Sequence, residues 1–271
     1  METLEGRISI LAALKARVRR FQVVLVSASS HAEKVEEVLA AAAEIAVPVK
    51  RVPAEELDRM AGGVTHGGVL ALCTPKPPTP LDDLLRVLRG STAPPLLLLI
   101  EGVEDARNLG YTLRSAEALG AHGVLVKKHV WDFDGGALSR ASSGAFERLP
   151  VTRLDRERDS LAELKRAGVR LWGCIARVRT SLYGADLRGP TLLAIGGEKR
   201  GLSAAVREEC DDFLTIPMQG QGTSLPLSHA AAVVLAEAMR QRLAGRPDKA
   251  GAAADTDMRS TGPEEAGADE P

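Results

Sequence analysis

Two hydrophobic patterns alternate along the chain. Unbroken apolar runs recur, and between them lie segments whose apolar positions are spaced by three and four. The first pattern reads as strands buried on both faces, the second as amphipathic helices. In the front part, "VVLVSAS" (23–29) predicts a buried strand, and "HAEKVEEVLAAAAEI" (31–45) predicts a helix with Val35, Val38, Leu39 and Ala42 on one face. "VPVKRV" and "GVLALC" predict two more strands, so residues 1–74 read as a small α/β unit. Six of the fifteen prolines then fall between 75 and 95, which predicts a linker around a short helix at 81–89.

From residue 96 the alternation becomes regular: "LLLLIEGV", "YTLRSAEALG", "GVLVKK", "SLAELKRAG", "VRLWGCIA", "TLLAIGG", "FLTIP" and "LSHAAAVVLAEAMRQRL". Apolar runs of this kind predict a parallel sheet flanked by helices over 96–245. The last helix places Ala231, Val234, Leu235, Ala238 and Met239 on one face. Residues 246–271 hold Ala, Gly, Pro and acidic residues without an aromatic, which predicts a disordered tail.

Composition modifies this picture in a few places. The net charge is −1, but the tail carries seven acids and three basic residues, leaving 32 basic and 29 acidic residues over 1–245, a net of +3. That balance is compatible with a nucleic-acid partner and does not require one. Aromatics are only 3%, which argues against base-stacking platforms. Three dispersed cysteines, Cys73, Cys174 and Cys210, with no C-x-x-C, argue against a disulfide framework or a zinc site and fit a reducing, cytoplasmic compartment. "PPLLLLIEGV" is too short, and too soon interrupted by Glu101, to span a membrane, and the first residues lack a signal-peptide pattern.

Candidate chemistry gathers in three loops that follow predicted strands, where open α/β sheets bind ligands. "EGVEDARNLGYTLRSAEALG" (101–120) passes Asn108 and Gly110 and reaches Arg114 in about the first turn of a helix. An arginine there points back toward the strand ends, or is a surface residue; Asn108 is a candidate ligand or a cap. "LLAIGGEKRGLS" (192–203) holds Gly196, Gly197, Glu198 and Gly201, without a nucleotide fingerprint or phosphate loop. "IPMQGQGTSLPLSHAAAV" (216–233) is a loop poor in side chains, with glycines at 220 and 222; Ser224 is a candidate cap and Pro226 falls in the first helical turn.

In this order, the three loops resemble the motifs of the SpoU-type RNA 2'-O-ribose methyltransferases of the SPOUT superfamily. "NLGYTLRSAEALGAHGVLV" is similar to the first motif, "IGGEKRGLS" to the second and "IPMQGQGTSLPLSHAAA" to the third, while "SRASSGAFERLPV" (139–151) resembles a smaller family segment. The resemblance covers 96–245 and extends more weakly to the front, where "LEGRISILAALKA" and "THGGVLAL" look like the ends of the substrate-binding domain of bacterial ribosomal-RNA members. Two positions depart from the pattern: Pro226 stands where the family has Asn, and Gly67 where it has Gln.

The resemblance implies an α/β catalytic domain tied in a trefoil knot, S-adenosylmethionine as methyl donor with no metal, and a homodimer. It implies RNA as substrate, ribosomal or alternatively transfer RNA. Gly196, Ile216 and Leu225 would offer backbone contacts to the cofactor, with Gly197, Glu198, Gly201, Met218 and Ser224 lining or shaping its pocket. Arg114 would stabilise the developing ribose alkoxide and grip a phosphate, Asn108 would position the ribose or Arg114, and Ser224 and Glu198 would complete the catalytic set. His229 reads as a helix-surface residue. Pro226 lacks the side-chain amide of Asn, which leaves open a second class, a non-catalytic knotted RNA-binding relative. An unrelated doubly wound nucleotide-binding enzyme is a third class, disfavoured by the missing phosphate-loop signatures.

Overall fold

In a computed structural model the protein is described over residues 1–30, 32–61, 66–221 and 224–244. Gly222 of the third loop, the end of the 96–245 stretch and the tail expected to be disordered, 246–271, lie outside the described residues.

The front unit runs β1 (Glu2–Glu5), α1 (Arg7–Ala16), β2 (Phe21–Ser27), α2 (Ala32–Glu44), β3 (Val49–Val52), α3 (Ala54–Met60) and β4 (Val69–Cys73). Its sheet has the order β1-β4-β2-β3; β2 and β3 are parallel, and β4 is antiparallel to both its neighbours. Val24, Val26, Val69 and Ala71 meet Ile10 and Leu14 of α1 and Val35, Val38 and Ala42 of α2 in one core. Gly67 and Gly68 both sit at left-handed φ, +60° and +77°. A glutamine at 67 would be strained there, so this turn favours the departing glycine.

The proline-rich stretch carries α4 (Leu81–Gly90), whose Leu84, Leu85 and Leu88 are buried against Leu97, Leu99 and Leu125 of the next sheet. It therefore covers one face of that sheet. The second unit continues as β5 (Leu96–Ile100), α5 (Ala106–Ala118), β6 (Gly123–Lys127), α6 (Gly135–Ala141), α7 (Ala145–Arg148) and β7 (Val151–Leu154). After these come α8 (Glu157–Arg166), β8 (Arg170–Cys174), β9 (Thr191–Ile195), α9 (Ala204–Glu209), β10 (Asp212–Leu214) and α10 (Leu227–Ala244). The six strands are all parallel, in the order β10-β8-β9-β5-β6-β7. Alternate residues of the central strands point to opposite faces, which separates two cores. Leu98 and Ile100 join the α5 and α10 side, while Leu97 and Leu99 join the α4 and α8 side.

On α10, Ala231, Val234, Leu235 and Ala238 are buried as the spacing predicts, but Met239 is 37% exposed. No helix among the described residues is long and apolar enough to cross a membrane.

The two units meet through the 139–151 segment. Arg140 pairs with Glu5, and the Gly144 Cα faces α1 so closely that a Cβ would lie 2.6 Å from Ala12 Cβ. Fully buried Arg19 holds Glu147 through two hydrogen bonds of 2.8 and 2.9 Å, reaches Glu2 at 2.5 Å and donates to the Thr74 carbonyl. Buried Lys76 donates to the carbonyls of Phe146 and Leu149, and burial lowers its pKa to about 8.

Candidate active site

The carboxyl ends of β8, β9 and β10 open into a cleft of about 530 Å³. Its walls contain Gly196, Gly197, Glu198 and Gly201 after β9, Ile216 and Met218 after β10, and Ser224 and Leu225 ahead of α10. The structure thus brings together every residue that the sequence placed around a cofactor. Leu202, Leu227 and Ala230 add apolar wall, and so does Cys174, whose thiol burial pushes up to about 12 and keeps neutral.

The glycines have a structural cause of their own. A Cβ on Gly196 would lie 2.0 Å from the Gly201 carbonyl carbon, and one on Gly197 would lie 2.7 Å from Gly102 Cα. Loop is packed on loop here, so side chains are excluded before any ligand arrives. Gly201 takes left-handed φ, +62°, and closes the turn by donating its N–H to the Gly197 carbonyl at 2.8 Å.

Glu198 reaches across the cleft mouth, and its Oε1 accepts from the Leu227 N–H at 3.3 Å. That donor is one of the unpaired N–H groups that begin a helix, so Glu198 fixes α10 to the β9 loop. Pro226 sits just before α10, not inside its first turn, and its carbonyl accepts from His229 and Ala230. Nothing at this position requires the N–H that proline lacks. Ser224 is exposed and makes no hydrogen bond with a described residue, so it lines the cleft and does not cap the helix. The backbone N–H and C=O groups of Ile216 and Leu225 likewise have no partner among the described residues.

A basin of about 670 Å³ adjoins the cleft and shares Gly197, Arg200 and Gly201 with it. Its floor is Glu101, a buried carboxylate that in the sequence only breaks an apolar run. Glu101 accepts from the Ser203 N–H at 2.7 Å, the Ser203 hydroxyl at 2.8 Å and Lys127 Nζ at 2.6 Å. It thereby joins the ends of β5, β6 and β9. Burial pulls the Lys127 pKa down, but hydrogen bonds to Glu101 and Glu157 outweigh it and hold the ammonium above its ordinary value. An acidic residue closing a buried strand, followed by Gly102 at φ +70°, is the signal that could have revealed this hub.

The first loop departs from expectation. Helix α5 begins at Ala106, capped by Asp105, whose carboxylate accepts from the Asn108 N–H at 2.8 Å. Asn108 therefore lies in the first turn and is not the cap. Arg114 lies more than two turns into the helix instead of in the first. It is exposed and lines neither the cleft nor the basin of its own chain. Gly110, which the sequence suggests is a loop residue, lies within α5, and α6 packs so close that a Cβ there would be 2.5 Å from Ala141 Cβ.

The cleft suits an amphipathic small molecule. Its volume lies in the range of about 300–1,000 Å³ common for ligand pockets, its walls are largely apolar, and it offers unpaired backbone donors and acceptors. S-adenosylmethionine, with an adenine edge, a ribose and a methionine chain joined through a sulfonium, meets those features. Among the described residues no group of acidic, His or Cys side chains could hold a metal ion.

Comparison with known proteins gives these loops a lineage. Residues 95–236 match the SpoU rRNA Methylase family, and residues 3–79 match the RNA 2'-O ribose methyltransferase substrate binding family. A 23S rRNA (guanosine-2'-O-)-methyltransferase of Xylella fastidiosa is 37% identical over 234 residues, covering 86% of this chain and 94% of that protein. An uncharacterized tRNA/rRNA methyltransferase of Mycolicibacterium smegmatis is 36% identical over 241 residues, 89% of this chain and 77% of its own length. Among solved structures, the SpoU methyltransferase AviRb from Streptomyces viridochromogenes, in complex with AdoMet, superposes with a TM-score of 0.74 at 28% identity, covering 90% of this chain and 91% of that one. The two matched regions and the superposition over nine tenths of both chains agree: the chain belongs to the SpoU rRNA methylase family.

Proposed function

We propose that the protein transfers a methyl group from S-adenosylmethionine to a ribose 2'-hydroxyl of RNA, with ribosomal RNA the favoured substrate. The observation that carries this reading is the convergence of eight motif residues, Gly196 to Leu225, on one glycine-walled cleft. The family of the relatives and the AdoMet complex of the AviRb structure support the same choice.

When bound, S-adenosylmethionine supplies an already electrophilic methyl group, so the protein's task is alignment and charge stabilisation. Ile216, Leu225 and Gly196 hold the cofactor through backbone groups, Met218 and Gly201 shape its pocket, and Gly197 keeps the wall thin. Glu198 acts by tying α10 to the β9 loop through Leu227. A guanidinium is a poor base, so Arg114 stabilises the forming alkoxide and grips the neighbouring phosphate, and the hydroxyl proton passes to solvent water. Asn108 positions the ribose or Arg114, and the Ser224 hydroxyl hydrogen-bonds beside the reacting oxygen.

Arg114 lies outside its own chain's cleft, which favours a homodimer. Tyr111, Met239 and Leu243 are exposed on α5 and α10, two helices that pack together, and they offer a face through which a second copy can bring Arg114 to a cleft. Residues 1–74 would act as the RNA-binding unit and 96–245 as the methyltransferase unit, in the cytoplasm. A trefoil knot is part of this reading; in its favour, Thr215 after β10 lies alongside the loop that leaves β8, donating to the Thr180 carbonyl and accepting from Leu182. Calorimetric titration with S-adenosylmethionine tests the cleft: saturable one-to-one binding, lost when Leu225 is replaced by Asp, is expected. Absence of binding by the wild-type protein would remove the reading.

A further inference from the structure

The arginines of the six-stranded unit fall into two groups. Between residues 96 and 244, ten described arginines hold a carboxylate or backbone carbonyls, among them Arg148 on Glu117 and Arg170 on Asp212. Arg107, Arg114, Arg177, Arg179, Arg200 and Arg207 have no hydrogen bond or ion pair from the side chain among the described residues. All six follow the carboxyl ends of β5, β8 or β9.

Three of the six, Arg177, Arg200 and Arg207, line the cleft itself and come from three separate elements. Arg177 follows β8 at a left-handed φ of +61°, unusual for a residue with a side chain. Arg200 lies in the Gly197–Gly201 turn and also faces the basin, beside Lys127 and Lys199. Arg207 is on α9, its guanidinium 6.0 Å from the Phe213 ring centroid. The one carboxylate in the cleft wall, Glu198, already accepts from Leu227. Three like charges around one concavity repel each other and raise the local potential, which an arriving anion relieves.

We propose that Arg177, Arg200 and Arg207 form a phosphate-binding rim, which holds the RNA backbone on either side of the nucleotide presented to the cleft. This rests on the methyltransferase reading and adds to it the residues that hold the substrate. The planar guanidinium fork fits phosphate oxygens two at a time. One cofactor carboxylate would occupy one such fork; three forks on three elements call for a polyanion. Because the contacts are to phosphate, they confer grip and register without sequence preference.

The test is anisotropy titration of a mixed-sequence single-stranded RNA at several salt concentrations, with wild-type protein and the R177Q/R200Q/R207Q variant. Each lost phosphate contact lowers the slope of log affinity against log salt by about 0.7, so the triple variant should lose roughly 2. An unaltered urea-unfolding midpoint shows that the triple variant is folded. Replacing three ion-paired arginines, R153Q/R170Q/R188Q, should leave the slope unchanged. An unchanged slope in the rim variant overturns the proposal, and a fall in cofactor affinity with an unchanged slope would hand the rim to the cofactor carboxylate. If the wild-type protein binds the cofactor but shows no salt-dependent affinity for RNA, the methyltransferase reading itself fails, and the rim with it.

Discussion

At the seam between the two sheets, Arg19 is fully buried, and every nearby charge is spoken for by Glu147, Glu2 or a backbone carbonyl. At the cleft, Arg177 and Arg200 stand exposed with no partner among the described residues, over walls of glycine and bare backbone. The seam spends its charges on holding two units in one relation. The cleft keeps its charges and backbone groups free for something that is not part of the chain. Saturation marks architecture and vacancy of partners marks function, and the same residue type serves both.

The largest expected effect breaks the seam. Arg19→Met leaves the fully buried Glu147 carboxylate without its hydrogen-bonded partner, which should cost about 3–5 kcal/mol. Urea unfolding would read it, with Arg188→Met, an exposed pair on Asp186, as a control that leaves the midpoint in place. Arg114→Ala should do the reverse: stability and cofactor affinity hold, and methyl transfer falls at least about a hundredfold, roughly 2.7 kcal/mol of barrier. Near-normal turnover would take Arg114 out of the mechanism.

A third substitution asks whether the thin cleft wall is structural. In Gly197→Ala the new methyl meets Gly102 Cα at 2.7 Å, backbone against backbone, and should cost about 1–3 kcal/mol of stability while weakening cofactor binding. Unaltered melting would mean that the loops move apart freely. The smallest effect is expected at Pro226, which lies just before α10 and does not line the cleft. Pro226→Asn should leave cofactor affinity within about threefold, less than about 0.7 kcal/mol, while raising methyl transfer or RNA affinity. A drop in transfer would show that proline belongs to a working variant of the site.

The same contrast explains what the sequence disclosed. Strands such as "LLLLI" and "TLLAI" are legible because central parallel strands are apolar on both faces. β7, "VTRL", is an edge strand that carries Arg153, and it leaves no apolar run to notice. The cleft was legible because two loops of unusual composition, after β9 and β10, are side-chain-poor in the sequence itself, and topology brings them together. Arg114 was misplaced by two turns because Gly110 reads locally as a loop residue, whereas its missing Cβ accommodates α6, an element 25 residues and more further along. The seam was illegible: Arg19 and Glu147 are 128 residues apart, and nothing near either one announces the other. The 139–151 segment stands out in the sequence as a motif, but its place between the units follows only from the fold.

Partner-free charge around a bare cleft has its most direct test in the product. Protein incubated with methyl-tritiated S-adenosylmethionine and ribosomal RNA should label the RNA, and alkaline hydrolysis should leave the label in dinucleotides. A 2'-O-methyl ribose cannot attack its own phosphodiester, so the neighbouring bond survives alkali. Label released as mononucleotides would place the methyl on a base and contradict the account.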